Sequence, residues 1–283
     1  TKLICEKINL RKEEINGFMP TLTTYVIYDS VYRNSTIWDD PEFKDETEKQ
    51  RKRPAVIICP GGGYAFCSPR EAEPIAIQMN AAGINAFVLD YCVAPIRYPE
   101  ALKDVSEAIK LVRANADKWG VDPDKIAVCG FSAGGHLAGS IGTLWNSDPA
   151  VKCDGKANKP NAMILSYPVL IYGEKAHKGS FENLLGEGLT DAEYDKMSLE
   201  KHIDGDTPPA FLWHTFEDDC VPVENSLVFA NELKKHDVPF ELHIYPKGGH
   251  GLSLATTETG DCDDLHVNSW VKLACEWLKI VFK

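Results

Sequence analysis

The chain has 283 residues, 44% hydrophobic and 25% charged, a composition that supports a buried core and excludes disorder as the main state. Its formal charge of -12, from 30 basic and 42 acidic side chains, gives a nucleic-acid backbone or an anionic membrane nothing to grip. No apolar run approaches the roughly 18 residues of a membrane span, and Thr1-Lys2-Leu3-Ile4-Cys5 lacks the long apolar stretch of a signal peptide.

Nine cysteines, with no Cys-x-x-Cys pair, argue against a zinc or dithiol site. Cys59 and Cys129 sit inside apolar runs, where a thiol packs as a small hydrophobe, so the cysteines are expected to be buried packing groups in a reducing cytoplasm. The chain begins at Thr1 rather than Met, which leaves room for a removed leader, and Asn34-Ser35-Thr36 is a common glycosylation sequon.

In chain order, residues 1–53 come first. Alternating stretches at Lys7–Leu10 and Thr23–Tyr28 predict two solvent-facing antiparallel strands, followed by a charged connector from Lys44 to Arg53. From Pro54 onward, short continuous apolar runs alternate with amphipathic segments, the pattern of parallel strands buried on both faces. The runs are Ala55–Cys59, Ala86–Tyr91, Ile126–Phe131, Ala162–Tyr167 and Ala210–Thr215, with Phe240–Tyr245 as a more alternating last strand. Ala101, Val105, Ala108, Ile109, Val112, Ala116 and Trp119 recur at helical spacing up to Gly120. Val267, Trp270, Val271, Ala274, Trp277, Leu278 and Val281 repeat this near the end, and these tryptophans are expected in the core. The polar, glycine-broken stretch Leu170–Thr207 departs from the regularity and reads as an insertion over the sheet edge, a candidate lid. With no repeat and no Gly/Ser-rich linker, residues 1–283 are expected to form one α/β domain.

Four segments carry chemistry. Gly130-Phe131-Ser132-Ala133-Gly134-Gly135 follows an apolar strand and opens a helical stretch. A serine at such a turn is held in a strained conformation with its hydroxyl above the sheet, and the Ala133 N–H faces any charge developing on a bound carbonyl oxygen. Pro60-Gly61-Gly62-Gly63-Tyr64 ends an earlier strand, and its bare backbone N–H groups suit an oxyanion. The alternative, a phosphate loop, would need a Gly-Lys-Ser/Thr ending or a Gly-x-Gly-x-x-Gly spacing, and neither is present.

A serine nucleophile needs a base, and the base needs a buried carboxylate. The segment His214-Thr215-Phe216-Glu217-Asp218-Asp219 offers three acids, among which spacing does not choose. Of eight histidines, His250 alone stands in a glycine-flanked loop past a strand end, in Gly248-Gly249-His250-Gly251, and is the candidate base. His136, His177, His202, His214, His236, His243 and His266 have surface or packing explanations, with His243 pointing outward on its strand.

The order Ser132, acid, His250 resembles that of α/β-hydrolases. Pro60-Gly61-Gly62-Gly63-Tyr64 resembles the His-Gly-Gly-Gly loop of hormone-sensitive-lipase-like esterases, and Tyr91-Cys92-Val93-Ala94-Pro95 their Tyr-Arg-Leu-Ala-Pro segment. The Pro-Gly-Gly-Gly-Tyr start is similar to that of bacterial acetyl-xylan-esterase-like "sugar hydrolases". The resemblance covers most of residues 54–283. It implies an α/β-hydrolase fold: a mostly parallel sheet with an antiparallel N-terminal pair and helices on both faces. It also implies that Asp218, which opens Asp-Asp-Cys-Val-Pro, is the acid, and that the N–H groups of Gly62, Gly63 and Ala133 form the oxyanion hole. Pro60 in place of the lipase-type histidine removes a brace from the loop and disfavours long-chain lipids.

The expected activity is serine-dependent hydrolysis of a carboxylic ester through an acyl-enzyme on Ser132, with Asp218 and His250 completing the triad and no metal or cofactor required. The expected substrate is a small ester with a short acyl group, such as an acetylated sugar, lined by the insertion and the Tyr64–Glu71 loop. An amidase or peptidase on the same triad and a non-catalytic binding module are the alternatives; a glycosidase would need a carboxylate pair that no motif marks. Neither nucleic acid nor membrane is expected as a partner, and the oligomeric state stays open.

Overall fold

The computed structural model describes residues 2–28, 51–260 and 264–283. The Asn34 sequon, most of the Lys44–Arg53 connector and Cys262 lie outside the described residues.

Six strands, β4 (Arg53–Cys59), β5 (Asn85–Asp90), β6 (Val121–Phe131), β7 (Ala162–Ser166), β8 (Ala210–Thr215) and β9 (Phe240–Tyr245), arise from the apolar runs. They pair in parallel in the order β5-β4-β6-β7-β8-β9. Both faces are covered: in β4, Ala55, Ile57 and Cys59 join one core cluster while Val56 and Ile58 join the other. Apolar residues are therefore needed at every position, and alternation disappears.

At the β5 edge, β3 (Thr21–Tyr28) runs antiparallel and itself pairs with β1 (Lys2–Ile4) and β2 (Lys7–Asn9). The antiparallel arrangement is as expected, but the solvent-facing assignment is wrong for β3. Leu22, Thr24, Val26 and Ile27 are buried, because β3 is an interior strand of the sheet with neighbours on both edges. Thr24 keeps a polar group there by donating to Ile4 O (3.0 Å) and accepting from Glu6 N (2.9 Å).

One face of the sheet is covered by α2 (Glu100–Ala114), α3 (Ala116–Trp119), α4 (Ala133–Leu144) and α7 (Glu224–Lys235), the other by α1 (Glu73–Ala81) and α8 (Leu265–Val281). The helix expected to run from Ala101 to Trp119 breaks at Asn115, whose side chain donates to Leu111 O, and Gly120 ends it at φ 59°. Trp119, Trp270 and Trp277 are buried, each contributing about 2–3 kcal/mol of apolar burial. The cysteine expectation holds in part: Cys59, Cys92, Cys129 and Cys275 are buried, but Cys5 and Cys220 are exposed. Among the described residues no helix is long and apolar enough to cross a membrane.

The Leu170–Thr207 insertion contains α5 (Lys178–Leu185) and α6 (Asp191–Tyr194) with short 3-10 turns after them. It lies away from the sheet edge, where the sequence reading put it. Asn183 Nδ2 donates to Gly63 O (2.9 Å), Arg97 donates to Glu182 O (2.8 Å) and Tyr98 N to Leu184 O (2.7 Å). These bonds fasten α5 onto the loops that follow β4 and β5, at the carboxyl ends of those strands.

Candidate active site

Ser132 stands between β6 and α4 at φ 54°, ψ -118°, a region that non-glycine residues rarely occupy. Its neighbours make the turn sterically feasible. A Cβ on Gly130 would fall 2.0 Å from Gly134 O, and one on Gly134 would fall 2.1 Å from Cys59 O, so strand and helix can approach only with hydrogen at both positions. The turn is held by Ser132 N donating to Ser166 O (3.0 Å) and by His136 N and Val169 N donating to Ser132 O.

The β9–α8 loop brings His250 to this serine. His250 Nε2 lies 2.8 Å from Ser132 Oγ, and Nδ1 lies 2.7 Å from Asp218 Oδ2. Because the carboxylate only accepts, Nδ1 carries the proton and Nε2 is free to accept from the serine. Of the three acids, Asp218 is the one that lies against His250. Glu217 is on the surface against Lys247 (2.5 Å), Asp219 is exposed, and Asp218 is buried against His250. Burial alone would raise the Asp218 carboxyl, but His214, His250 and the Val221 amide outweigh it and hold the group well below the usual carboxylate range.

In the Pro60–Tyr64 loop, Gly61 N is committed to Glu71 Oε2 at 2.7 Å. Among the described residues nothing accepts from the amides of Gly62, Gly63 or Ala133. Gly62 (φ 130°) and Gly63 (φ 62°) take backbone conformations that favour glycine. The loop is held by groups other than the residue at position 60: Tyr91 Oη donates to Pro60 O (2.6 Å), Ala94 N to Tyr64 O (2.8 Å), and Glu71 holds Gly61. In the Tyr64–Glu71 loop, Tyr64, Ser68 and Glu71 are buried, with Tyr64 Oη bonded to His136 Nδ1 at 2.9 Å, while Phe66 is exposed.

Several residues that matter escaped the sequence reading. His214 is fully buried, with Nε2 3.3 Å from Asp218 Oδ2 and 2.8 Å from Val221 O, and Nδ1 2.8 Å from Ser226 Oγ. A histidine inside an otherwise apolar strand, four residues before the acid, was the only available signal. His136 spans Tyr64 and Met197 O (2.9 Å), tying the glycine loop to the insertion. His243 leans on Phe211 instead of pointing freely outward (ring centroids 5.2 Å apart). Among the described residues no group of three His, Cys, Asp or Glu side chains could hold a metal ion.

A mostly parallel sheet flanked by helices, with a serine at a strained strand-to-helix turn hydrogen-bonded to a histidine that is itself bonded to a carboxylate, both from later loops, defines an α/β-hydrolase. Residues 43–233 match the BD-FAE family model, and the chain belongs to that family. It is 37% identical over 249 residues to endo-1,4-beta-xylanase B of Butyrivibrio fibrisolvens, a match spanning 86% of this chain and 36% of that protein. It is 32% identical over 211 residues to the acetylxylan esterase of Xylanibacter ruminicola, spanning 71% of this chain and 42% of that protein. The chain thus spans less than half the length of these two relatives. Among solved structures, it is similar to an acetyl ester-xyloside bifunctional hydrolase from Caldicellulosiruptor lactoaceticus, at TM-score 0.81 and 39% identity, over 98% of this chain and 96% of that one. Similarity to the carboxylesterase Cest-2923 of Lactobacillus plantarum is at TM-score 0.79 and 27% identity, over 99% of this chain and 98% of that one.

Proposed function

We propose that the chain is a serine-dependent carboxylic ester hydrolase that removes short acyl groups, acetyl foremost, from a carbohydrate or another small ester. The observation that carries this reading is the uninterrupted relay from Ser132 Oγ to His250 Nε2 (2.8 Å) and from Nδ1 to Asp218 Oδ2 (2.7 Å), ending beside unengaged amides. His250 takes the Ser132 proton as Oγ attacks the ester carbonyl, and Asp218 stabilises the resulting imidazolium. The amides of Gly62, Gly63 and Ala133 receive the oxyanion. Collapse breaks the C–O bond and His250 gives its proton to the departing alcohol; water then repeats the sequence on the acyl-enzyme and releases the acid.

Residues 1–283 act as one domain in this reading, because the participating groups run from Gly62 to His250 across one sheet, with the Leu170–Thr207 insertion as a lid over them. The short-acyl, sugar-ester choice follows the printed activities of the acetylxylan esterase and acetyl ester-xyloside relatives. A glycosidase role is not carried over, since both oxygens of Asp218 and of Glu71 already accept protein donors and neither acid is open to a glycosidic bond.

The test is hydrolysis of p-nitrophenyl acetate, butyrate and octanoate, alongside acetylated xylo-oligosaccharides, by the wild type and by Ser132→Ala. The variant should fold and lose turnover on every substrate, and acetyl should be preferred. Wild-type turnover by Ser132→Ala would overturn the mechanism, and a strong octanoate preference would overturn the substrate class.

A further inference from the structure

Glu71 is an acid with 3% of its surface exposed, and nothing in the proposed reaction uses it. A buried carboxylate is costly unless its lone pairs are filled, so its partners show what it is for. Oε2 accepts from Gly61 N at 2.7 Å, and Oε1 accepts from Tyr167 Oη at 2.5 Å. Tyr167 Oη in turn accepts from Ser253 N at 2.9 Å, so the tyrosine's own proton is committed to Glu71. Both Glu71 oxygens are then acceptors, an arrangement that the ionised carboxylate satisfies. Burial pushes the carboxyl up, while the Tyr167 and Gly61 hydrogen bonds and the charges of His250 and Arg70 pull it part of the way back.

The two ends of this network are the two halves of the site. Gly61 precedes the unengaged amides of Gly62 and Gly63, and Ser253 stands three residues beyond His250. Ser253 is fixed by all its polar groups: its Oγ donates to Arg70 O (2.6 Å) and its carbonyl accepts from Trp270 Nε1 (2.9 Å). The Tyr167 ring also meets the His250 ring edge-on, with centroids 5.1 Å apart. Tyr167 (φ 35°) and Ser253 (φ 52°) are both held in backbone conformations that cost energy, at positions with 1% and 0% exposure.

We propose that Glu71 is a positioning residue which, through Gly61 on one oxygen and Tyr167–Ser253 on the other, sets the spacing between the oxyanion-binding amides and the His250 imidazole. The proposal rests on the esterase reading above. Glu71→Gln is nearly isosteric; its oxygen stays with the Gly61 N–H, and its NH₂ then faces Tyr167 Oη, which replaces a charged acceptor by a neutral donor and turns the phenolic proton away, so the Tyr167 arm of the clamp is weakened. Tyr167→Phe cuts the same arm outright and leaves the Glu71–Gly61 bond in place.

The experiment measures kcat and KM for p-nitrophenyl acetate and the inhibition constant of phenylboronic acid, which forms a tetrahedral adduct on a reactive serine. Wild type, Glu71→Gln, Tyr167→Phe, the double variant and Ser132→Ala are compared, with folding checked by circular dichroism. Each single variant should lose roughly 10- to 100-fold in kcat, with boronate affinity falling in step and KM within about threefold. The double variant should be no slower than the worse single one, as for two groups that act as one device. Folded single variants that keep kcat and boronate affinity within about threefold of wild type, or losses that multiply in the double variant, would overturn the proposal. Should Glu71→Gln not fold, Tyr167→Phe decides by the same criteria. Failure of the esterase reading is separately visible, as unchanged turnover in Ser132→Ala.

Discussion

Replacing Asp218 by Asn tests the proposed relay most sharply, because the four donors around this carboxylate dictate how the amide must sit. Oδ1 accepts from Val221 N (2.8 Å) and Cys220 N (3.1 Å), while Oδ2 faces His250 Nδ1 (2.7 Å) and His214 Nε2 (3.3 Å). An Asn side chain has one oxygen for these two pairs. Turning its NH₂ toward the backbone would leave two amides without an acceptor, at about 1–3 kcal/mol each. The oxygen therefore stays with Val221 and Cys220, and the NH₂ meets the imidazoles. His214 keeps Val221 O as an acceptor (2.8 Å). His250 relieves the conflict only by shifting its proton from Nδ1 to Nε2, which then faces Ser132 Oγ as a donor and can no longer take the serine proton. A wrong-tautomer base of this kind costs about 10⁴ in kcat, or roughly 5 kcal/mol in the barrier. The assay is p-nitrophenyl acetate turnover at pH 8 with thermal unfolding as the fold check, run beside Glu217→Gln and Asp219→Asn. Those two surface acids should leave the rate within about twofold, as expected for charges that touch nothing reacting. Asp218→Asn turning over within tenfold of wild type, or an equal loss in Asp219→Asn, would refute the reasoning.

Two further outcomes follow from individual residues. A Cβ on Gly62 would lie 2.0 Å from Phe66 O at φ 130°, whereas one on Gly63 would meet nothing nearer than Ser180 Oγ at 3.9 Å. Gly62→Ala should therefore displace an oxyanion donor and lower kcat by about 10² or more, with Gly63→Ala milder; equal turnover in Gly62→Ala and wild type would count against the assigned donors. Burial lowers the His136 imidazole to about 4, against about 6.5 for an unfolded chain. Between those values the unfolded state binds the extra proton, so the His136 contribution is intact above about pH 6.5 and is lost as pH falls toward 4, by roughly 3 kcal/mol. Urea midpoints at pH 7.5 and 4.5 should fall less on acidification for His136→Gln than for wild type, and equal falls would disprove this.

The strands and the candidate catalytic groups were legible in the sequence for related reasons. Strands buried on both faces must be largely apolar, as Ala55–Cys59 and Ala210–Trp213 are, and residues presented at a sharp loop have glycines nearby, two positions either side of Ser132 and directly beside His250. Thr24 misled because its hydroxyl finds partners at the end of β1 and in the connector after it, so a buried position can carry a polar residue and imitate an exposed alternation. Glu71 was illegible because nothing beside it in the Tyr64–Glu71 loop, read as pocket lining, marks it for burial, and its partner Tyr167 lies almost a hundred residues away.

The same difference in range explains why the N-terminal strands bear on the site at all. Arg11, just after β2, donates to Asp104 Oδ1 through Nε (2.9 Å) and Nη2 (2.6 Å), and Asp104 Oδ2 accepts from Cys92 N at 2.9 Å. Cys92 follows Tyr91, whose hydroxyl holds Pro60 O, and precedes Ala94, whose amide holds Tyr64 O, so both ends of the glycine loop rest on this segment. Breaking one partner of a pair as buried as Asp104 leaves an uncompensated charge, which is far costlier than losing a surface bridge. The antiparallel addition at the sheet edge is thus joined to the glycine loop through three hydrogen-bonded steps. None of these steps has a local sequence signature, because a side chain that braces a distant loop needs only reach and a matching donor or acceptor, whereas a residue presented at a sharp turn needs its neighbours in the chain to be small.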